Sequence, residues 1–407
     1  MAEFARDFRD GFDINLGVGY VNERTIPARL FVEALAAVAA DPARYRQAFN
    51  YGGPEGSPNL IRSLRAFLLR RGAGLDEATL DRKRLIIGPC GAMSILEGFA
   101  EICAPGIVVT SDPGYYIYLD ALERRDFRVL AVPEDDEGMR ADLLEEKLAA
   151  LGGAASQVSF FYVMTVSNPT GAILSDRRRR AVLQAAARFS EAQGRRVPVL
   201  FDLAYEWLVR APGVPQPRSV LAEDELGIAY EAGTLSKILA PSLRIGYLLG
   251  PPGELMSAMV QRTSDAGFSA PLFVQEMASW LLDHHIEAQI RAVNEGYRQK
   301  AAAVRGGIEQ NLGPWLEHCT GGSAGFYFYL TFRSLRTDPE SPFFRYLAEG
   351  GQRPRVVYIP GVYCVQPDGD LAEAGRRQLR LSYGFEETGR ILEALAWMRR
   401  AAEACGD

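Results

Sequence analysis

The stretch Ile228-Ala-Tyr-Glu-Ala-Gly-Thr-Leu-Ser-Lys237 decides the fold. A short buried-strand pattern, Ile228 to Ala232, runs into a Gly-Thr turn and ends on a lysine. An isolated lysine is ordinarily a solvated surface residue. Lys237 instead stands between hydroxyls and the apolar pair Ile238-Leu239, with Pro241-Ser-Leu-Arg244-Ile-Gly-Tyr247 just downstream. Outward from this point lie similar apolar runs: Leu85 to Ile87, Ile107 to Val109, Val129 to Val132, Val158 to Met164, Val199 to Phe201 and Ile245 to Leu249. Runs that are apolar on both faces and alternate with helical patterns predict a mostly parallel sheet buried in a three-layer α/β/α sandwich.

The flanks differ in pattern. Pro27 to Ala40 reads as a helix. Ser57 caps a second one, with Pro58 at its first position, Leu60, Ile61, Leu64, Phe67 and Leu68 on one stripe, and Gly72 past its end. Helical patterns dominate from Pro251 to about Leu312. The last stretch mixes strands (Phe326 to Phe332, Val356 to Ile359, Leu379 to Tyr383) with helices and ends in Glu386 to Ala404. The expected division is therefore an N-terminal arm that also contributes to a smaller α+β domain (1–48), a large domain (49–290) and a small C-terminal domain (291–407).

Composition removes several function classes. The 407 residues carry a net charge of −6, which offers no basic footprint for nucleic acid and no polybasic membrane anchor. No run of 18 apolar residues exists, and the charged start MAEFARDFRDGFD lacks a signal-peptide core, so a cytoplasmic protein is expected. Five cysteines without CxxC spacing and three histidines, two of them adjacent, predict no metal site. Arg177 to Arg180 follow the N-cap pair Ser175-Asp176 and are expected on the exposed first turns of a helix.

In a sheet of this kind ligands sit beyond the carboxyl ends of the strands. The residues that follow the apolar runs are therefore the candidates. Gly88-Pro-Cys-Gly91-Ala-Met-Ser94 precedes a helix, where glycine turns and free N–H groups suit an anion. Tyr115 follows Ile107 to Val109, Asn168 follows Val158 to Met164, and Asp202 ends Val199 to Phe201 with Tyr205 close behind. A carboxylate ending a buried strand requires a cation or a hydrogen-bonded ring nitrogen.

Taken in order, Tyr51-Gly-Gly-Pro-Glu-Gly56, Gly91-Ala-Met93, Asp112-Pro-Gly-Tyr115, Asn168-Pro-Thr-Gly171, Asp202-Leu-Ala-Tyr205, Thr234-Leu-Ser-Lys237, Arg244 and Arg380-Leu-Ser382 resemble the class I/II aminotransferases of the fold type I pyridoxal-phosphate enzymes. The likeness runs from about Asn15 to Trp397. Tyr51 to Gly56 and Asp136-Glu-Gly-Met-Arg140 are similar to the branch that includes α-aminoadipate and kynurenine aminotransferases.

The resemblance implies pyridoxal 5′-phosphate bound covalently to Lys237, which also moves the substrate proton. It implies Asp202 on the pyridine nitrogen, Asn168 and Tyr205 on the ring 3′-oxygen, and Tyr115 against the ring face. Gly91, Ala92 and Met93 would offer backbone donors to the phosphate, joined by Thr234, Ser236 and Arg244. Tyr51 would reach the phosphate of a partner subunit in a homodimer with shared active sites. Arg380 would grip the substrate α-carboxylate, beside Asn168 and an N-terminal segment Asn15 to Gly19 that lies across the substrate. Arg24 is a candidate for a distal substrate carboxylate. Two positions depart from the family pattern: Met93 stands where polar residues are common, and Ser242 where glycine is usual.

The expected activity is transfer of the α-amino group of an L-amino acid to a 2-oxo acid, with 2-oxoglutarate the expected acceptor. The same lysine and fold also serve lyases and decarboxylases. The branch further includes aminotransferase-like halves of bacterial regulators, which would make this chain a non-catalytic effector sensor. With about fifteen residues ahead of the first matching segment, an appended DNA-binding module is not expected.

Overall fold

The protein is described from a computed structural model covering residues 8–210, 214, 216–349 and 351–405. The chain opens with β1 (Ile14–Asn15) and then builds an eight-stranded sheet from β2 (Arg84–Ile87), β3 (Ile107–Asp112), β4 (Arg128–Asp135), β5 (Gly138–Met139), β6 (Val158–Met164), β7 (Val199–Asp202), β8 (Ala229–Thr234) and β9 (Gly246–Gly250). The spatial order is β2-β9-β8-β7-β6-β3-β4-β5. β8, β7, β6, β3 and β4 are mutually parallel, whereas β9 is antiparallel to both its neighbours. Every residue of β3, β7, β8 and β9 is buried, as expected of strands covered by helices on both faces.

This topology fixes where the chemistry sits. The carboxyl ends of the parallel strands share one edge, and β9 begins at that edge because it runs the other way. Residues after β2, β3, β6, β7 and β8, and those just before β9, therefore converge. Between β6 and β3 the chain order reverses, which opens a crevice.

A second, four-stranded sheet holds β10 (Leu316–Gly321), β11 (Tyr327–Phe332), β13 (Ile359–Pro360) and β14 (Gln378–Ser382) in the order β10-β11-β14-β13. The strand expected over Val356 to Ile359 is split. Its first half, β12 (Val356–Val357), leaves the sheet to pair in parallel with β1, and Ile359 alone pairs with Arg380. β10 was not legible as a strand because its residues are half exposed and lack alternation. The boundary expected at 290/291 falls inside the helix Ile286–Leu312, which runs unbroken past it.

The N-terminal arm is pinned at its root. Asp13 is fully enclosed; burial pushes its carboxyl up, but Arg9 and Arg355 outweigh this and hold it well below the usual carboxylate range. Asn15 then accepts from the N–H groups of Gly17 and Val18, and Ser382 N donates to Leu16 O at 2.8 Å. These bonds lay residues 15–20 over the end of β14.

The arginine run corrects one expectation. The helix Asp176–Ala192 begins as predicted with Ser175 capping Arg178 N, but Arg178 and Arg179 are buried. Arg179 forms a two-pronged ion pair with Glu206, at 2.8 and 3.0 Å, and Thr165 donates to the same carboxylate at 2.6 Å. The pair braces the backbone just beyond Asp202 and Tyr205. Removing one member of a buried pair strands the other charge. Arg179→Ala should therefore lower unfolding stability by about 3–5 kcal/mol in urea denaturation, whereas Arg177→Ala, at an exposed position, should stay within about 0.5 kcal/mol.

Candidate active site

The shared strand edge encloses a cavity of about 180 Å³ lined by Ala92, Met93, Tyr115, Asn168, Asp202, Tyr205, Thr234, Ser236, Lys237 and Arg244, with Leu96, Met164, Val166 and Ala204. Each strand-end candidate thus arrives in one place. Arg380, Gly19 and Gly91 adjoin it through their contacts. Tyr51 and Arg24 do not.

One end is a cradle of donors. The helix Gly91–Ile102 has no side-chain cap. Gly91 N donates to Arg244 O at 2.7 Å and Cys90 N to Ser94 Oγ at 3.0 Å, which leaves the N–H groups of Ala92 and Met93 without a partner among the described residues. The turn is tight enough to exclude side chains: Gly91 has a φ of +68°, and a Cβ on Gly246 would sit 2.4 Å from Ala92 N. Arg244 adopts a left-handed backbone at φ 52°, and among the described residues its guanidinium donates only to Pro241 O, Cys90 O and the Cys90 thiol. Thr234 Oγ donates to Ile245 O at 2.7 Å and lies 2.9 Å from Ser236 Oγ. Two free N–H groups at a helix start, two hydroxyls and an unneutralised guanidinium match an anion such as a phosphate.

The opposite end carries acid and amide groups. Asp202 is buried, accepts from Tyr162 Oη at 2.7 Å and from Ala204 N at 2.9 Å, and has no ion pair among the described residues. Burial raises its carboxyl above the usual range against the pull of those hydrogen bonds. A buried acid with neutral donors only is suited to a protonated ring nitrogen. Asn168 sits on a turn whose flanking hydroxyls, Ser167 and Thr170, both donate to Glu134. Burial pushes the Glu134 carboxyl up to about 8.

Between these ends stands Lys237. Its Nζ donates to Gly19 O at 3.2 Å, and it lies 5.5 Å from the centre of the Tyr205 ring. Desolvation first, and the nearby Arg244 second, lower its pKa to about 8, with Asp202 pulling the other way. Arg380, 1% exposed, reaches the same region from β14. Its Nη1 donates to Asn168 Oδ1 at 2.7 Å, its Nη2 donates to Gly17 O, and its Nε has no partner. A buried guanidinium held by neutral carbonyls is ready for a carboxylate. The residues present therefore fit pyridoxal phosphate and an amino-acid substrate.

Two expected residues lie elsewhere. Arg24 pairs with Glu387 at 3.2 Å on an 80% exposed side chain and does not line the cavity. Tyr51, expected to reach a partner subunit, is 84% exposed and does not line the cavity of its own chain. Conversely, Tyr162 and Tyr327 escaped the sequence reading. Both are aromatic residues inside runs that read as uniform core, and only the fold shows that their hydroxyls point at polar partners.

Fold and cavity place the chain among the fold type I pyridoxal-phosphate transferases. The crystal structure of Pyrococcus horikoshii kynurenine aminotransferase shares that fold at a TM-score of 0.86, covering 100% of this chain and 94% of that one at 23% identity. The model of the family "Aminotransferase class I and II" matches residues 14–387, and the chain belongs to that family. It is a pyridoxal-phosphate-dependent aminotransferase, acting on an amino acid and an oxo acid. Relatives include an aromatic-amino-acid aminotransferase of Thermococcus litoralis, 26% identical over 86% of this chain and 79% of that protein. The uncharacterized HTH-type transcriptional regulator YisV of Bacillus subtilis is 25% identical over 92% of this chain and 71% of that protein.

Only the neutral amine of Lys237 attacks an aldehyde. In cofactor-free protein, the rate at which added pyridoxal phosphate attaches, followed by visible absorbance, should rise with pH and be half-maximal near 8. A half-maximum near the ordinary lysine value would show that the amine is not desolvated.

Proposed function

We propose that this chain transfers the α-amino group of an L-amino acid to a 2-oxo acid, with 2-oxoglutarate as acceptor, in two half-reactions at one cavity. The observation that carries the reading is that Lys237, Asp202 and Arg380 converge there without counter-ions. When bound, pyridoxal phosphate supplies the carbonyl that captures the amino group and a ring that draws electrons from Cα. Asp202 would hold the proton on the ring nitrogen. Asn168 and Tyr205 would hold the 3′-oxygen, and Tyr115 the ring face. Ala92, Met93, Thr234, Ser236 and Arg244 would hold the phosphate. Arg380 would fix the substrate carboxylate and so orient the Cα–H bond. Lys237, once released, would carry the proton between Cα and C4′, a task its lowered pKa suits.

The active unit in this reading is a homodimer. Tyr51 and Phe49 are strongly exposed beside Phe268 and Phe273, an apolar patch that a second copy would cover while Tyr51 reached its phosphate. The reading keeps the division into residues 1–48, 49–290 and 291–407, with the helix Ile286–Leu312 running from the large domain into the small one. Five free cysteines agree with a reducing, cytoplasmic setting. No helix of the described residues is long and apolar enough to cross a membrane.

The regulator relative makes effector sensing without turnover the rival, and a lyase the second. A half-reaction separates all three. Amino acid alone, without acceptor, should convert the bound cofactor stoichiometrically to its pyridoxamine form and release one equivalent of oxo acid. No conversion would favour the sensor, and continued release of oxo acid and ammonia the lyase. Asp202→Asn should reduce that conversion rate by at least about 10²-fold while cofactor stays bound.

A further inference from the structure

Among the described residues the Tyr205 hydroxyl has one partner, the hydroxyl of Tyr327, at 2.7 Å. Tyr327 opens β11 on the smaller sheet, opposite Ser382 of β14, and is 1% exposed. Its ring lies under the guanidinium of Arg380, with Cζ 4.6 Å from the ring centre. Its hydroxyl lies beneath the N-terminal arm, so close that a Cβ on Gly19 would sit 2.5 Å from it. A single side chain thus touches the carboxylate-binding arginine, the arm and Tyr205.

A phenol has one proton to give. With the Tyr205 proton committed to the 3′-oxygen of bound cofactor, the hydroxyl pair has one consistent direction: Tyr327 donates to Tyr205, and Tyr205 donates to the cofactor. Donation into a hydroxyl makes that hydroxyl a stronger donor in turn. We propose that Tyr327 is a positioning residue that sets the strength of the Tyr205 hydrogen bond to the 3′-oxygen, and so ties cofactor basicity to the placement of Arg380 and the arm. The inference rests on the function proposed above.

With cofactor bound, the nitrogen joining it to Lys237 would share its proton with the 3′-oxygen. Weakening donation to that oxygen leaves more negative charge on it and raises the nitrogen's proton affinity. The groups facing the pair are Arg380 over Tyr327, Lys237 over Tyr205, and Tyr115, Tyr116 and Cys364 around them. A change at the Tyr327 hydroxyl alone leaves all of them in place.

The test is a spectrophotometric pH titration of the holoenzyme's visible band. Tyr327→Phe should retain cofactor on Lys237 and move the midpoint up by roughly a third of a pH unit. Tyr205→Phe should move it further, and the double variant should match Tyr205→Phe alone, because Tyr327 acts through Tyr205. Gly19→Ala, which displaces the hydroxyl without removing it, should shift the midpoint in the same direction and serves should Tyr327→Phe fail to fold. An unchanged midpoint in Tyr327→Phe and Gly19→Ala, alongside a shift in Tyr205→Phe, would overturn the relay and leave the proposed function standing. A double variant shifted well beyond Tyr205→Phe would also overturn it. A wild-type protein with no covalent band would overturn both.

Discussion

Burying an ionised group without a counter-ion is among the costliest arrangements a fold can hold. Around this cavity Asp202, Arg380 and Lys237 are enclosed without an ion pair among the described residues, and burial drives the Asp202 and Lys237 pKa values toward the neutral forms. Several other enclosed charges are paired. Asp13 lies between Arg9 and Arg355, Arg179 against Glu206, and Lys83 against Asp224. What sets this region apart is that an acid, an amine and a guanidinium, none in an ion pair among the described residues, meet at one cavity. A ligand that brings a protonated ring nitrogen, an aldehyde and a phosphate, followed by a substrate that brings a carboxylate, supplies the missing counterparts in turn.

The scaffold delivers those groups by topology. Parallel β8, β7, β6 and β3 end at one edge, and antiparallel β9 starts there, so Lys237, Asp202, Asn168, Tyr115 and Arg244 need no long loops to meet. Precision comes from the layer behind. Tyr162 and Ala204 aim the Asp202 carboxylate, Glu134 ties down both sides of the Asn168 turn, and the Arg179–Glu206 pair braces the segment after β7. Arg380 comes from the other sheet, with the arm's Gly17 carbonyl beside it. In the proposed function, substrate binding would engage both sheets and the arm together.

Much of this was legible in the sequence for a physical reason. Strand-end residues are announced by the apolar run before them, and seven of the large sheet's eight strands were long enough to read; β5, two residues long, was not. The flanking elements were harder. β10 is an edge strand without alternation, and the Val356 to Ile359 strand divides between two sheets at Tyr358, which the local pattern does not signal. Charge runs misled where tertiary pairing overrode them: nothing near Arg179 reveals that Glu206 awaits it. Tyr162 and Tyr327 read as core because a buried hydroxyl is revealed only by its partner. Arg24 likewise has a neighbour in space, Glu387, that the sequence does not signal.

The claim on which the account stands is that the amine at the end of β8 carries the cofactor. Borohydride reduction of the protein loaded with pyridoxal phosphate, then peptide mass spectrometry, tests it directly. The account predicts a single pyridoxyl adduct on the peptide containing Lys237, lost in Lys237→Ala. An adduct on another lysine, or none, would contradict it.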